Sequence, residues 1–228
     1  MAAKFVMPIV LALLLTSGGS RASALDLQDL IRETPYADID VQLQNRAVDE
    51  LRKEKGIRPE GLFKHILAHP DIYSPAVMFV LSDKLYESDR RTEAMFWFYA
   101  ALLRAQYDAN RCTDESVHAA LKIMATKFGG NIEQYAREQL PTFRQIIAHV
   151  TQFEYDTPHN YDHRWINLHG MRTARAVKAA QNGMSLRDDQ PFSLPAEDWP
   201  KIHRETVEAF RQEMEQRSRM WAQEQGPR

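Results

Sequence analysis

The chain has 228 residues, with 29 basic and 31 acidic side chains, a formal net charge of −2 and a single cysteine. The near-balance of charge argues against a general nucleic-acid binder, which would concentrate basic residues on one face. The lone Cys112 excludes an intrachain disulfide, so stability must come from packing.

Reading from the N-terminus, Lys4 precedes an uncharged apolar run at residues 5–15, and TSGGSRASA follows, ending in Ala22-Ser23-Ala24. This is the charged, apolar and small-x-small series of a secretory signal peptide. The apolar run falls short of the about 20 residues that a membrane-spanning helix needs. Residues 1–24 are therefore expected to be a signal peptide cleaved after Ala24, which leaves a mature chain that starts at Leu25 in the periplasm. Lys4 and Arg21 leave with it, so 27 basic side chains then face 31 acidic ones. No second long apolar segment follows, so no membrane span is expected in the mature chain.

The mature residues 25–228 read as one all-α domain of about eight helices, because apolar residues recur at helical rather than strand spacing. A short amphipathic start at 27–31 closes at Thr34-Pro35. A helical face at Ile39, Val41, Leu43, Ala47, Val48 and Leu51 ends at Gly56 before Pro59. Leu62, Phe63, Ile66 and Leu67 form a short helix stopped at His69-Pro70, and Ser74-Pro75 starts the next as cap and first helical residue. Two helices are expected at 92–107 and 114–128. Thr113 would cap the second, Asp114 and Glu115 suit its N-terminal dipole, and Gly129-Gly130 would end it. Asn131 would open another, and Pro141 either kinks it or starts a new helix running to about Glu154. A helix at 171–180 stops at Asn182-Gly183. Residues 185–195 are an unpatterned connection, and a last helix runs to Trp221 with Ile202, Thr206, Phe210, Met214 and Trp221 on one side.

Residues 81–106, LSDKLYESDRRTEAMFWFYAALLRAQ, resemble a tetratricopeptide or Sel1-like helix pair. Ala94, Trp97, Tyr99 and Ala101 fall where such pairs let two helices approach. No second copy occurs at the repeat spacing of roughly 34 residues, so the resemblance implies helix-pair packing and not a repeat array. The aromatic run MFWFYAALL within it points around most of a helix circumference, the pattern of a core helix.

Residues 153–171, FEYDTPHNYDHRWINLHGM, hold three histidines, two aspartates, one glutamate, two tyrosines and a tryptophan. His159, His163 and His169 could supply three zinc ligands only if the segment curled to bring them together. Pro158 and Asn160-Tyr161-Asp162 make it turn-like, and no zinc signature such as H-E-x-x-H occurs. The simpler expectation is no metal and no cofactor. Asp162 caps a helix that begins at His163, Trp165, Ile166 and Leu168 turn inward, and Tyr155 and Tyr161 bury their rings with wet hydroxyls. The candidate partner-binding residues are Asp156, His159, Tyr161, Asp162, His163 and Trp165, polar acceptors interleaved with aromatics. Cys112 beside Arg111 at a helix start would have a somewhat lowered pKa. His118, six residues on, is badly placed to act as its base. No catalytic residue is assigned.

An exported helical chain of this size without cofactor motifs resembles periplasmic immunity proteins, which neutralise type VI secretion toxins that degrade cell wall or membrane lipids. The resemblance implies a non-enzymatic protein that occludes a toxin enzyme with an exposed loop or helix face. Two alternatives stay open. One is a cell-envelope hydrolase or metal-dependent enzyme using residues 156–169. The other is a periplasmic scaffold or assembly factor built on the 81–106 hairpin.

Overall fold

The computed structural model describes residues 27–53, 60–186 and 189–225. Residues 1–24 and the turn at Gly56-Pro59 lie outside them. Among the described residues the helical periodicity resolves into nine α-helices. They are α1 (Leu27–Arg32), α2 (Gln42–Arg52), α3 (Glu60–Ala68), α4 (Pro75–Glu87), α5 (Arg91–Asn110), α6 (Val117–Glu138), α7 (Leu140–Asp156), α8 (Met171–Gln181) and α9 (Trp199–Gln225). No strand occurs among these residues beyond one isolated antiparallel bridge between Cys112 and Ser193, so the fold is all-α. No described helix is long and apolar enough to cross a membrane.

The axis of the fold is α5. Met95, Trp97, Phe98, Tyr99, Ala100, Ala101 and Leu103 are all buried, as a helix apolar around its circumference requires. It is covered by α4, α6, α7 and α9. It meets α4 through a turn in which Asp89 adopts φ 60°, and the Ser82 hydroxyl donates to the Ala94 carbonyl at 2.7 Å. Smaller clusters seat the N-terminal segment on α8: Leu30 with Val177 and Ala180, and Tyr36 and Ile39 with Ala176.

Several helix boundaries differ from the sequence expectation, among them the end of α9, which continues past Trp221 to Gln225. Helix α5 continues to Asn110, because its last turn is held by tertiary contacts described below. Helix α6 starts at Val117 and not at Asp114. Thr113 does not cap it; Asp114 accepts from the Ser116 backbone N–H at 3.1 Å and from the Arg172 N–H of α8 at 3.0 Å. That carboxylate fills the space beside Gly170, where a Cβ would lie 2.2 Å from Asp114 Oδ2. Helix α6 also runs straight through Gly129-Gly130, so Asn131 opens nothing. Gly129 is small there because the Phe98 ring packs against its Cα, and a Cβ would lie 2.9 Å from Phe98 Cζ. Pro141 resolves to a helix start, in the first turn of α7, where its missing N–H costs nothing.

The glycine pair gives a paired prediction. Gly130 faces open space, so Gly130→Ala should stabilise by about 0.5–1 kcal/mol through helix propensity. Gly129→Ala meets a fully buried ring and should destabilise by about 1–3 kcal/mol despite the same propensity gain. Urea midpoints of the two variants check this; equal effects would contradict the packing.

Candidate functional site

Towards the end of α5 a polar set begins with Arg104, Tyr107 and Asp108 and continues into the C-cap residue Arg111. Spacings of three and four place them along one side of the helix. Arg104, Asp108 and Arg111 are buried charges, which must be paired to be tolerated. The pairing defines the site.

Asp108 Oδ1 accepts from Arg111 Nη2 at 2.6 Å, and Oδ2 accepts from Tyr161 Oη at 3.0 Å and Trp165 Nε1 at 2.7 Å. One turn away, Glu154 at the end of α7 receives Arg104 Nε on Oε2 at 3.1 Å. Its Oε1 receives His159 Nε2 at 3.0 Å and His203 Nε2 of α9 at 3.1 Å. Arg104 Nη2 also donates to the Thr157 carbonyl at 2.8 Å. Burial alone would raise the Glu154 pKa, but the hydrogen bonds from His159 and His203 and the Arg104 charge outweigh it and bring it down to about 2.

Above this layer opens a cleft of about 380 Å³, with Tyr107, Arg111, Glu154, His159, Trp199 and His203 among its walls. The Arg111 guanidinium lies over the Tyr107 ring at 4.2 Å and the Trp199 ring at 4.9 Å. Tyr155 stands beside it, 55% exposed, with its ring 5.3 Å from that of His203. Both imidazoles spend Nε2 on the glutamate, which leaves Nδ1 on the far side of each ring from the carboxylate.

The structure divides the six candidate residues of the sequence reading. Asp156 is exposed and accepts from Gln152 Nε2 at 2.9 Å. His159 enters the cleft. Asp162 caps the 3-10 helix His163–His169, accepting from the Arg164 N–H at 2.9 Å, as its sequence context suggested. Tyr161 and Trp165 point inward to Asp108. The tyrosines reverse the expectation of buried rings with wet hydroxyls: Tyr161 buries its hydroxyl on Asp108, and Tyr155 stays on the surface. His163 bonds Ser193 Oγ at 2.7 Å.

The three histidines do not converge. His159 is on Glu154, His163 is on Ser193, and His169 packs its ring 5.6 Å from that of Trp165. Among the described residues no group of three or more His, Cys, Asp or Glu side chains could hold a metal ion. The His163–Ser193 pair looks like a nucleophile and its base. Burial and the neighbouring Arg111 charge push His163 down to about 4, which makes it a poor base for a hydroxyl. Cys112 also departs from expectation. Its thiol lies 3.1 Å from Asn167 Oδ1, and burial pushes its pKa up to about 11 in spite of Arg111 next door.

No protein-family model, curated protein or solved structure matches the chain. The functional reading rests on the site itself.

Sequence reasoning missed Arg104, Asp108, Glu154 and His203. The available signal was two charges, Arg104 and Asp108, four apart in a helix whose preceding turns are buried around the circumference. His203 had none, since it reaches Glu154 across 49 residues of sequence.

Two histidines outside the cleft and the glutamate within it set the acid response. His163 and His169 are both held near 4 by burial, against an ordinary 6.5. As pH falls from 6.5 to 4 the unfolded chain takes up protons that the folded chain refuses, so stability drops in that window. Glu154, depressed from 4.5 to about 2, stabilises fully above 4.5, and that contribution is lost as pH falls towards 2. Urea midpoints at pH 7, 5 and 3 should therefore fall in two stages. His169→Gln should flatten only the upper stage; an unchanged upper stage in this variant would refute the assignment.

Proposed function

We propose that the chain is an exported, non-enzymatic binding protein of the periplasm, with Leu25 as its mature N-terminus, and that the cleft between α5, α7 and α9 receives a protein partner. The observation that carries this reading is the make-up of the cleft. Tyr107, Trp199 and Arg111 are residue types that dominate interface hot spots; Tyr107 and Arg111 are themselves buried, and the exposed Tyr155, its ring 5.3 Å from that of His203, offers the accessible aromatic. Both oxygens of Glu154 are already engaged by three donors, and its low pKa makes it a weak base. The resemblance to periplasmic immunity proteins supplies the partner class, a toxin enzyme whose active site is covered. Asp156 and Tyr155 present the outward part of the candidate segment, while Tyr161 and Trp165 shape it from behind.

The test uses mature protein to capture enzymes from the native periplasm, followed by affinity and inhibition measurements on the isolated partner. Tyr155→Ala, a surface change, should weaken binding at least about tenfold, as for a hot-spot aromatic. Unchanged affinity, or a partner that is bound without being inhibited, would overturn the reading.

One observation favours a second reading, an enzyme acting on envelope material. A shared carboxylate, Glu154, fixes the imidazoles of His159 and His203 on the cleft wall, an arrangement suited to general acid–base chemistry. Hydrolysis of cell-wall or lipid substrates by the mature protein, lost in His203→Gln with the fold intact, would put this reading first. The hairpin scaffold reading gains support only from the close α4–α5 packing, which any core hairpin shares.

A further inference from the structure

The first two turns of α9 are held differently from the rest of the helix. None of residues 199–205 is fully buried, whereas Thr206, Val207, Phe210 and Met214 are. Thr206 is tied to α5, where its hydroxyl accepts from Asn110 Nδ2 at 2.7 Å. Ahead of it the contacts are polar. His203 Nε2 sits on Glu154 at 3.1 Å, Trp199 Nε1 donates to the Leu194 carbonyl at 2.9 Å, and Tyr107 Oη reaches the Trp199 carbonyl at 3.5 Å. A segment with so little buried apolar surface can open without the rest of the fold.

The contact from His203 is shared. Glu154 Oε1 also receives His159 Nε2 at 3.0 Å, and an ionised carboxylate only accepts, so each ring must present an N–H. With both imidazoles neutral the layer is balanced, Arg104 and Arg111 against Asp108 and Glu154. A first proton on the pair puts Arg104 and one imidazolium on the same carboxylate. A second makes three cations, two of them in rings whose centroids are 6.3 Å apart. Glu154, with its pKa of about 2, keeps its single charge throughout and gains none to offset them. The Arg104 and Glu154 side chains are 0% and 1% exposed, so water does not screen the surplus. Tyrosine rings complete the surroundings: Tyr107 beside both imidazoles, Tyr155 beside His203 and Tyr161 beside His159. Lys201, Arg204 and Glu205 on α9, and Glu197 and Asp198 just before it, are exposed.

We infer that His159, Glu154 and His203 form a pH-sensitive latch on the cleft. Glu154 holds both rings while the pair carries at most one added proton, and a second proton releases His203 together with residues 199–205 of α9. His159 stays in place, because the next residue, Asn160, is bound to Asp71 through its backbone N–H at 2.8 Å and its Nδ2 at 2.9 Å. His203 is also the more exposed ring, 20% against 12%. Its release carries Trp199, Pro200 and His203 away from the cleft wall, whatever the cleft takes. Histidine is the side chain that changes charge between about pH 5 and 8. His163, whose ring lies 4.8 Å from that of Trp199, is held neutral down to about 4 and so plays no part above pH 5.

Amide hydrogen exchange of the mature protein at pH 7 and pH 5, corrected for the intrinsic rate, tests the latch. Amides of residues 203–206 should lose at least about tenfold in protection at pH 5, while those of 214–221 on the same helix keep theirs. His203→Gln and His159→Gln each keep a side-chain N–H for Glu154 but cannot place a second charge beside it. Either variant should therefore be as protected at pH 5 as at pH 7. The inference is overturned if wild-type protection at 203–206 does not change between the two pH values, or if both halves of α9 lose it together. It is equally overturned if the loss persists in either variant, or if both variants have already lost protection at pH 7, the mark of a bond that only supports structure.

Discussion

Replacing Trp165 with alanine should destabilise the protein by about 3–5 kcal/mol, the usual cost of emptying a buried tryptophan site. The ring is 2% exposed, and its indole N–H is one of two donors on Asp108 Oδ2, at 2.7 Å. The variant therefore loses packing and also weakens the solvation of a buried carboxylate, which places it towards the upper end of that range. Sequence reasoning alone would set the histidine variants near the surface value of no more than about 0.5 kcal/mol. The structure raises both. His163→Ala loses the bond to Ser193, about 1 kcal/mol, and His159→Ala removes one of three donors from Glu154, about 1–3 kcal/mol. Thermal melts of the three variants, with and without a chelator, check the order Trp165, His159, His163. A chelator that lowers the melting temperature of unmutated protein, together with a mild Trp165→Ala, would reinstate a metal site.

Arg104→Met should cost about 3–5 kcal/mol, because it strands Glu154 in the interior without its cationic partner. The two side chains are 0% and 1% exposed, so water cannot replace the guanidinium. The Thr157 carbonyl loses its donor in the same step. Changing both partners, Arg104→Met with Glu154→Leu, should be milder than Arg104→Met alone, because no uncompensated charge remains. The double-mutant cycle measures this coupling from denaturant midpoints. A single Arg104→Met variant within about 1 kcal/mol of wild type would show that the pair is not desolvated as the structure has it.

How far the fold was legible depends on whether the signal was local. Proline and the turn residues act through their own dihedrals, so Ser74-Pro75, Pro141 and Asn182-Gly183 mark real helix ends. The Asp162 cap was legible for the same reason, since its acceptor reaches the N–H two residues on. Gly129-Gly130 misled because a glycine pair carries two meanings. In α6 the pair does not stop a helix; Gly129 makes room for a ring that arrives from α5.

The all-α class, the helix faces and the core character of MFWFYAALL are consequences of period and composition, and one chain segment at a time suffices to read them. The destination of the polar residues is not such a property. Asp108 becomes a triple acceptor, Glu154 becomes the anchor of two imidazoles, and His159, His163 and His169 part company, only when α5, α7, α9 and the 163–169 turn come together. A buried charge is stable only where partners from distant segments meet it, so its role is decided by tertiary packing and not by its neighbours in the sequence.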